Sequence, residues 1–310
     1  MTQQHVQPTS LAATLAAGRF ALTAEIAPPL SCDADDVIRL AQPLKGLADA
    51  VNVTDGAGAR AHMGASAAAA ILAREGIEPI QQFTCRDRNR IALQGDLLAA
   101  AALGVRNLLL LRGDDPTAGD QPDAKPVFDL DTVGLLRTAA GLRDRGELPS
   151  GRKLDERPAF FLGVADVPID PPAGWAPHSL AAKADVGAQF VQTQFCMDAG
   201  IVRRYLARLG EHGLVPRLAI LIGVVPLKSA RSARWMRKHL PGAIIPDAII
   251  ARLERAADPA AEGRRVCVEL MQELAEIPGV AGAHVMAPAN PEAIPQVLAE
   301  AANISRRRAR

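Results

Sequence analysis

No Cys-x-x-Cys pair occurs in this sequence, whose four cysteines, Cys32, Cys85, Cys196 and Cys267, stand far apart. That spacing argues against a compact zinc site and a disulfide framework, and it suits a reducing compartment. An excess of one charge is also missing, with 35 Lys and Arg against 34 Asp and Glu. A nucleic-acid groove or a membrane-binding face draws on a basic excess, so neither is expected. The one dense basic run, Arg306-Arg307-Arg308-Ala309-Arg310, reads as a solvated flexible tail. Long apolar runs are lacking too: the strongest, 218–227, spans about ten residues, where a bilayer crossing takes roughly 20. The first residues carry no basic segment, and the apolar run 11–17 is broken by Gly18-Arg19. No signal peptide is therefore expected, and the cytoplasm is the expected setting. Finally, no Gly-x-Gly-x-x-Gly follows the first apolar run, which leaves an open doubly wound dinucleotide fold without its anchor.

What is present is a regular alternation. Short apolar runs rich in β-branched residues fall at 20–27, 50–54, 79–84, 107–111, 159–164, 190–195, 218–225 and 283–286. Helix-length segments rich in Ala, Leu, Arg and Glu lie between them, at 62–75, 89–103, 131–145, 177–186, 201–212 and 231–239. Several of these helices close on a glycine, at Gly76, Gly104, Gly146, Gly187 and Gly213, as helices that end in a left-handed residue do. Apolar strands alternating with helices predict a parallel sheet closed into a (β/α)8 TIM barrel, an α/β fold of one domain over 1–310 with short flexible tails.

In such a barrel the active site lies at the C-terminal ends of the strands. The residues that leave the runs are polar or charged: Glu25, Asp55, Cys85 with Arg86-Asp87, Arg112 with Asp114, Asp166, Gln194, and Pro226 with Lys228. Two proline-rich loops, 115–130 and 166–176, follow strands on that face and read as binding loops; a third, 147–158, is a surface excursion on the opposite face. Glu25 is a lone carboxylate in Ala24-Glu25-Ile26-Ala27-Pro28-Pro29. It is either a general acid whose proton affinity burial raises, or a strand-end carboxylate neutralised by Arg19 or Lys183. His178, His212 and His239 show no ligand spacing, so no metal is expected. Trp175 and Trp235 either shield a cofactor or pack.

Several segments resemble, in order, those of the methylenetetrahydrofolate reductase family: Ala24-Glu25-Ile26-Ala27-Pro28-Pro29, Val53-Thr54-Asp55-Gly56-Ala57, Phe83-Thr84-Cys85, Leu111-Arg112-Gly113-Asp114, Lys183-Ala184-Asp185-Val186-Gly187-Ala188 with Gln192-Thr193-Gln194-Phe195, and Ile222-Gly223-Val224-Val225-Pro226. The resemblance covers nearly the whole chain. It implies a barrel that holds FAD and reduces 5,10-methylenetetrahydrofolate to 5-methyltetrahydrofolate with NADH or NADPH, feeding one-carbon metabolism and methionine synthesis. By the same resemblance, Glu25 protonates N10 as the five-membered ring opens, and Asp114 favours the cationic iminium. Gln194 contacts substrate or nicotinamide, while Thr54, Thr84, Arg112, Gly113, Asp114 and Lys183 hold the flavin.

The chain also departs from the family pattern. Gln82 stands in place of a histidine, Asp55 in place of a tyrosine, and Gly163-Val164-Ala165-Asp166-Val167-Pro168 in place of the fifth-strand motif that contacts FAD. A folate-stacking aromatic is replaced near Ala230. The run Thr84-Cys85-Arg86-Asp87-Arg88-Asn89-Arg90 is similar to a branch of the family found fused to homocysteine methyltransferase domains. Lys228 and Arg231, with Arg234, are expected either to meet the glutamate tail of folate or to form a solvated helix face. Two other functions stay open at this point: the same reaction by direct hydride transfer without flavin, and a non-catalytic folate-binding barrel. A homo-oligomer is compatible with the sequence, which shows no interface stripe.

Overall fold

A computed structural model describes residues 10–288 and 290–307. Eight parallel strands close into a barrel in sequence order: β1 (Ala21–Ile26), β2 (Ala50–Val53), β3 (Pro79–Thr84), β4 (Asn107–Leu111), β5 (Phe161–Asp166), β6 (Phe190–Phe195), β7 (Ala219–Val224) and β8 (Val280–Val285). β8 pairs back onto β1 in the register Ala21 to Gly282 and Thr23 to His284. The helices are α1 (Ser10–Ala16), α2 (Ala34–Ala41), α3 (Ala65–Arg74), α4 (Arg90–Ala102), α5 (Thr132–Arg145), α6 (His178–Val186), α7 (Ala199–Glu211), α8 (Ala230–His239), α9 (Asp247–Arg255), α10 (Pro259–Ala275) and α11 (Ile294–Arg307). The expected (β/α)8 barrel is therefore the fold. The N-terminal tail and the end of the basic run, 308–310, lie outside the described residues, while the backbone of Arg306 and Arg307 belongs to α11.

The strands differ from expectation mainly at β5 and β8. β8 starts three residues early because its first half, Val280-Ala281-Gly282, is built from small residues that give a weak apolar signal. The smallness has a cause: a Cβ on Gly282 would lie 2.3 Å from the Ala21 carbonyl oxygen, so β1 closes the barrel over bare backbone. β5 runs on through Asp166, whose carboxylate finds a partner inside the protein. The five glycines expected to close helices all have positive φ, between 60° and 119°. The apolar run 11–17 forms α1 and its final turn.

Two apolar regions hold the barrel together. The larger lies between the sheet and its helices; the smaller lies inside the barrel at its base, where Ala21, Ala50, Ile80, Leu109, Phe190 and Leu221 pack on Leu11 of α1. Phe190 stacks on Phe161 with ring centroids 5.0 Å apart. Gly163 makes room for that ring, since a Cβ there would fall 2.2 Å from Phe190 Cζ. The base of the barrel is thus closed largely by packing, with buried Asn107 of β4 donating there to Glu78 Oε1 at 2.8 Å and the Pro79 carbonyl at 3.1 Å, and most inward polar side chains stand in the upper half.

Candidate active site

Side chains alternate faces along a strand, so inward positions recur every second residue. Climbing by that step, the inward rows of four strands change from apolar to polar: Ala21, Thr23, Glu25 on β1; Ala50, Asn52, Thr54 on and just after β2; Ile80, Gln82, Thr84 on β3; Phe190, Gln192, Gln194 on β6. The middle level is a cross-barrel network. Asn52 Nδ2 donates to Gln192 Oε1 at 2.6 Å, and Gln192 Nε2 donates to Asn52 Oδ1 at 3.0 Å. β2 and β6 are not neighbours in the sheet, so this pair spans the interior. Gln192 Nε2 also donates to Thr23 Oγ1 at 3.1 Å and lies 3.3 Å from Nδ1 of the buried His284 on β8.

Glu25 sits one level higher, with its side chain 27% exposed. Gln82 Nε2 donates to its Oε2 at 3.2 Å, and His284 Nε2 lies 3.7 Å from the same oxygen. Neither expected counter-ion is beside it: Arg19 donates to Thr14 Oγ1 at 2.9 Å, and Lys183 donates to the Ala165 carbonyl at 2.7 Å. Glu25 is therefore neither isolated nor salt-bridged to those residues. Its two close side chains, Gln82 and His284, were not picked out as site residues by sequence reasoning.

The rim over β2, β3 and β4 carries most of the remaining expected residues. Thr54 is buried, and its hydroxyl has no hydrogen-bond partner among the described residues. Thr84 is engaged through both its amide (2.8 Å) and its hydroxyl (3.0 Å) with Asp55 Oδ2, which Arg88 also neutralises. Arg112 is exposed and lies over the Phe128 ring, 4.3 Å from its centroid. Phe128 is delivered there by the loop after β4, whose Val127 and Phe128 amides donate to the Arg86 and Cys85 carbonyls. Gly113 has φ +91°, and a Cβ on it would fall 2.9 Å from Thr84 Cβ. Asp114 is exposed, with Oδ2 accepting the Gly58 amide at 3.0 Å, so it ties the β2 loop to the β4 loop. Sequence reasoning gave no role to Arg86, which is buried, paired twice with Asp87 and bonded to the Gly56 carbonyl at 3.1 Å. Burial pushes the Cys85 thiol up to about 11, which leaves it protonated at neutral pH.

Over β5 and β6 the polar groups are spent on one another. Tyr205 of α7 donates its hydroxyl to Asp166 Oδ2. Burial raises the Asp166 carboxyl above the ordinary range, against the Tyr205 hydrogen bond and the nearby Lys183 charge. Burial likewise lowers Lys183, with the Asp166 charge opposing. Trp175 packs on Tyr205 at 6.1 Å between centroids, and Trp235 stacks on His239 at 4.9 Å. The amide of Gln194 is held by its own chain: Nε2 donates to the Pro241 carbonyl at 3.1 Å, and Oε1 accepts the Phe195 amide at 3.0 Å. The β6–β7 register shifts at that point, next to Gly223, where a Cβ would lie 2.4 Å from the Thr193 carbonyl oxygen. Lys228 lies 3.6 Å from Glu292, Arg234 pairs with Glu254 of α9, and Arg231 is exposed; Lys228 and Arg234 are thus held by different carboxylates. Among the described residues no cluster of His, Cys, Asp and Glu could hold a metal ion, and no helix is long and apolar enough to cross a membrane.

The family model described as methylenetetrahydrofolate reductase matches residues 10–302, which takes in every strand of the barrel. The chain belongs to the methylenetetrahydrofolate reductase family. It is 27% identical over 217 residues to a probable methylenetetrahydrofolate reductase (NADPH) of Caenorhabditis elegans, covering 67% of this chain and 30% of that protein. It is 27% identical over 168 residues to the 5,10-methylenetetrahydrofolate reductase of Salmonella typhimurium, covering 53% of this chain and 49% of that one. These matches span less than half the length of either relative. Among solved structures, a Clostridium thermocellum protein described as binding two copies of 5-methyl-5,6,7,8-tetrahydrofolic acid has a TM-score of 0.66 and 14% identity, over 94% of this chain and 98% of that one. At that identity the likeness shows the fold alone.

Proposed function

We propose that this barrel reduces 5,10-methylenetetrahydrofolate to 5-methyltetrahydrofolate, with the hydride supplied by NADH or NADPH through bound FAD. The observation that carries this reading is the placement of Glu25 at the polar mouth, with one carboxyl oxygen held by Gln82 and the other without a hydrogen-bond partner among the described residues. A carboxylic acid so placed gives its proton to N10 as the C–N10 bond breaks. The product of that step is the N5 iminium, a cation, and hydride addition to its methylene carbon yields the methyl group. The exposed carboxylate of Asp114 on the same rim stabilises positive charge as it develops.

The β2–β4 rim fits a flavin. The unpartnered Thr54 hydroxyl and the exposed Arg112 guanidinium are groups that await a polar ligand, and Gly113 lets the backbone beside Arg112 pack closely against Thr84 and Arg86. FAD held there would supply hydride carriage between NAD(P)H and the folate, while the protein supplies orientation and field. Thr84 and Lys183 contribute by shaping the site, since their polar groups are already engaged by Asp55 and by Ala165.

A second reading, direct hydride transfer from NAD(P)H without flavin, is favoured by one observation: over β5 the polar side chains Asp166, Tyr205 and Lys183 are occupied within the protein. The visible absorption spectrum of the purified protein, before and after FAD and then anaerobic NADH, separates the two. Bound flavin that bleaches with NADH and regains colour on adding methylenetetrahydrofolate is the expected result. Turnover by a protein that takes up no FAD supports the second reading. No turnover in either assay refutes both.

A further inference from the structure

The ring of His284 is placed under Glu25 by contacts on both nitrogens. Its Nδ1 lies 3.0 Å from Thr23 Oγ1 and 3.3 Å from Gln192 Nε2, while its Nε2 faces Glu25 Oε2 at 3.7 Å. Of the two neighbours of Nδ1, Thr23 can give it a proton, and Gln192 Nε2, whose two hydrogens are directed to Asn52 and Thr23, cannot take one from it. The Gln192 amide nitrogen can only donate, and its orientation is tied to the reciprocal pair with Asn52 across the barrel. Thr23 accepts from that same nitrogen and directs its own hydroxyl proton toward Nδ1 at 3.0 Å or the Ala283 carbonyl at 3.4 Å. With Nδ1 acting as an acceptor, the ring's hydrogen resides on Nε2 and points at the carboxyl of Glu25.

We propose that His284 is a positioning residue for Glu25, a Nε2-protonated imidazole, fixed by Thr23 and Gln192, that joins Gln82 in holding Oε2 and leaves Oε1 to carry the proton delivered to substrate. Gln82 and His284 both approach Oε2, on the inner side of the carboxyl group. The 3.7 Å separation is longer than a hydrogen bond, and contacts of this kind tighten once substrate fills a site. When Glu25 releases its proton, the two N–H groups stabilise the carboxylate that remains, and water restores the proton for the next turnover. This role rests on the reductase reading given above, but the state of the ring does not.

Two measurements test it. In protein labelled with ¹⁵N-histidine, the His284 signals, identified by their loss in His284→Gln, are expected to show a bare Nδ1 and a protonated Nε2; Thr23→Val, which removes one donor, identifies the same signals by shifting them if His284→Gln fails to fold. A hydrogen on Nδ1 in the resting protein overturns the proposal. In steady-state assays, His284→Leu is expected to lower kcat about 10- to 100-fold, the scale of a misplaced catalytic group, with KM for methylenetetrahydrofolate changed less than about threefold. His284→Gln, which keeps an N–H donor, is expected to recover part of that loss. Equal activity of His284→Leu and wild type, or a loss confined to KM, refutes the role. Failure of wild type itself to turn over the folate refutes the reductase reading instead, and the ¹⁵N spectrum still decides where the ring's proton lies.

Discussion

Gly113→Ala separates two costs that a glycine can hide. At φ +91° an added Cβ meets its own carbonyl, a strain of about 1–2 kcal/mol for a non-glycine residue. The same Cβ would lie 2.9 Å from Thr84 Cβ and 3.1 Å from Arg86 Cβ. Neither neighbour moves freely: Thr84 is tied to Asp55 through two hydrogen bonds, and Arg86 is clamped by Asp87 and the Gly56 carbonyl. Overpacking of that kind adds about 1–3 kcal/mol, so the total falls near 2–5 kcal/mol. Gly18→Ala is the control. Gly18 has φ +67° with nothing within 4 Å of its added Cβ, so only the strain of about 1–2 kcal/mol applies. Urea denaturation of both variants and wild type reads the difference as a shift in midpoint at constant slope. If Gly113→Ala loses no more stability than Gly18→Ala, the rim around Thr84 is not the fixed wall described here. A variant that survives is also expected to bind FAD more weakly, because Thr84 and Arg112 flank the altered backbone.

Glu25→Gln is expected to lower turnover by about 10²- to 10⁴-fold, the range for loss of a general acid, with folate affinity retained; steady-state kinetics beside equilibrium binding check this. Leu11→Ala opens a cavity at the base of the barrel, where Leu11 is fully buried, and is expected to cost about 2–5 kcal/mol in chemical denaturation. Asp166 binds its proton more tightly in the folded state, because burial raises it. Its contribution to stability is therefore fully present below the ordinary carboxylate range and is lost as pH rises through the raised folded value. Denaturation from pH 4 to pH 7 is expected to show that loss in wild type and not in Asp166→Asn. Iodoacetamide is expected to label Cys32 alone in the native protein, since Cys85, Cys196 and Cys267 are buried; peptide mass mapping before and after unfolding reads it.

The barrel is legible in the sequence because strands buried on both faces leave continuous apolar runs, and glycines mark where the helices stop. Strand ends locate the mouth, and Glu25, Arg112 and Asp114 all lie there. The partnerships within the mouth are not legible, because they join distant residues. Asn52 and Gln192 are 140 positions apart, and each looks like an ordinary polar interruption of its own strand. His284 follows two alanines and a glycine in β8, where the apolar signal fades, so nothing local marks it. A usable sign was present: polar residues at every second position of β1, β2, β3 and β6, always toward the C-terminal end. Lys183 and Gln194 show the opposite limit. Motif spacing places them at the rim, but only packing shows their polar atoms already taken by Ala165, Pro241 and Phe195.

The change from apolar base to polar upper half divides the barrel interior into two regimes of inheritance. At the base, Ala21, Ile80, Leu109, Phe190 and Leu221 act only through volume, so descendants of this chain can exchange one for another in small steps provided the sum is kept. Above them, Thr23, Asn52, Gln192 and His284 each complete a bond that another begins. A change at one strands a buried donor or acceptor at another, a cost of about 1–3 kcal/mol that a single substitution cannot recover. Lineages are thus expected to drift freely at the floor and to keep or replace the upper set as a block, with strands far apart in sequence changing together.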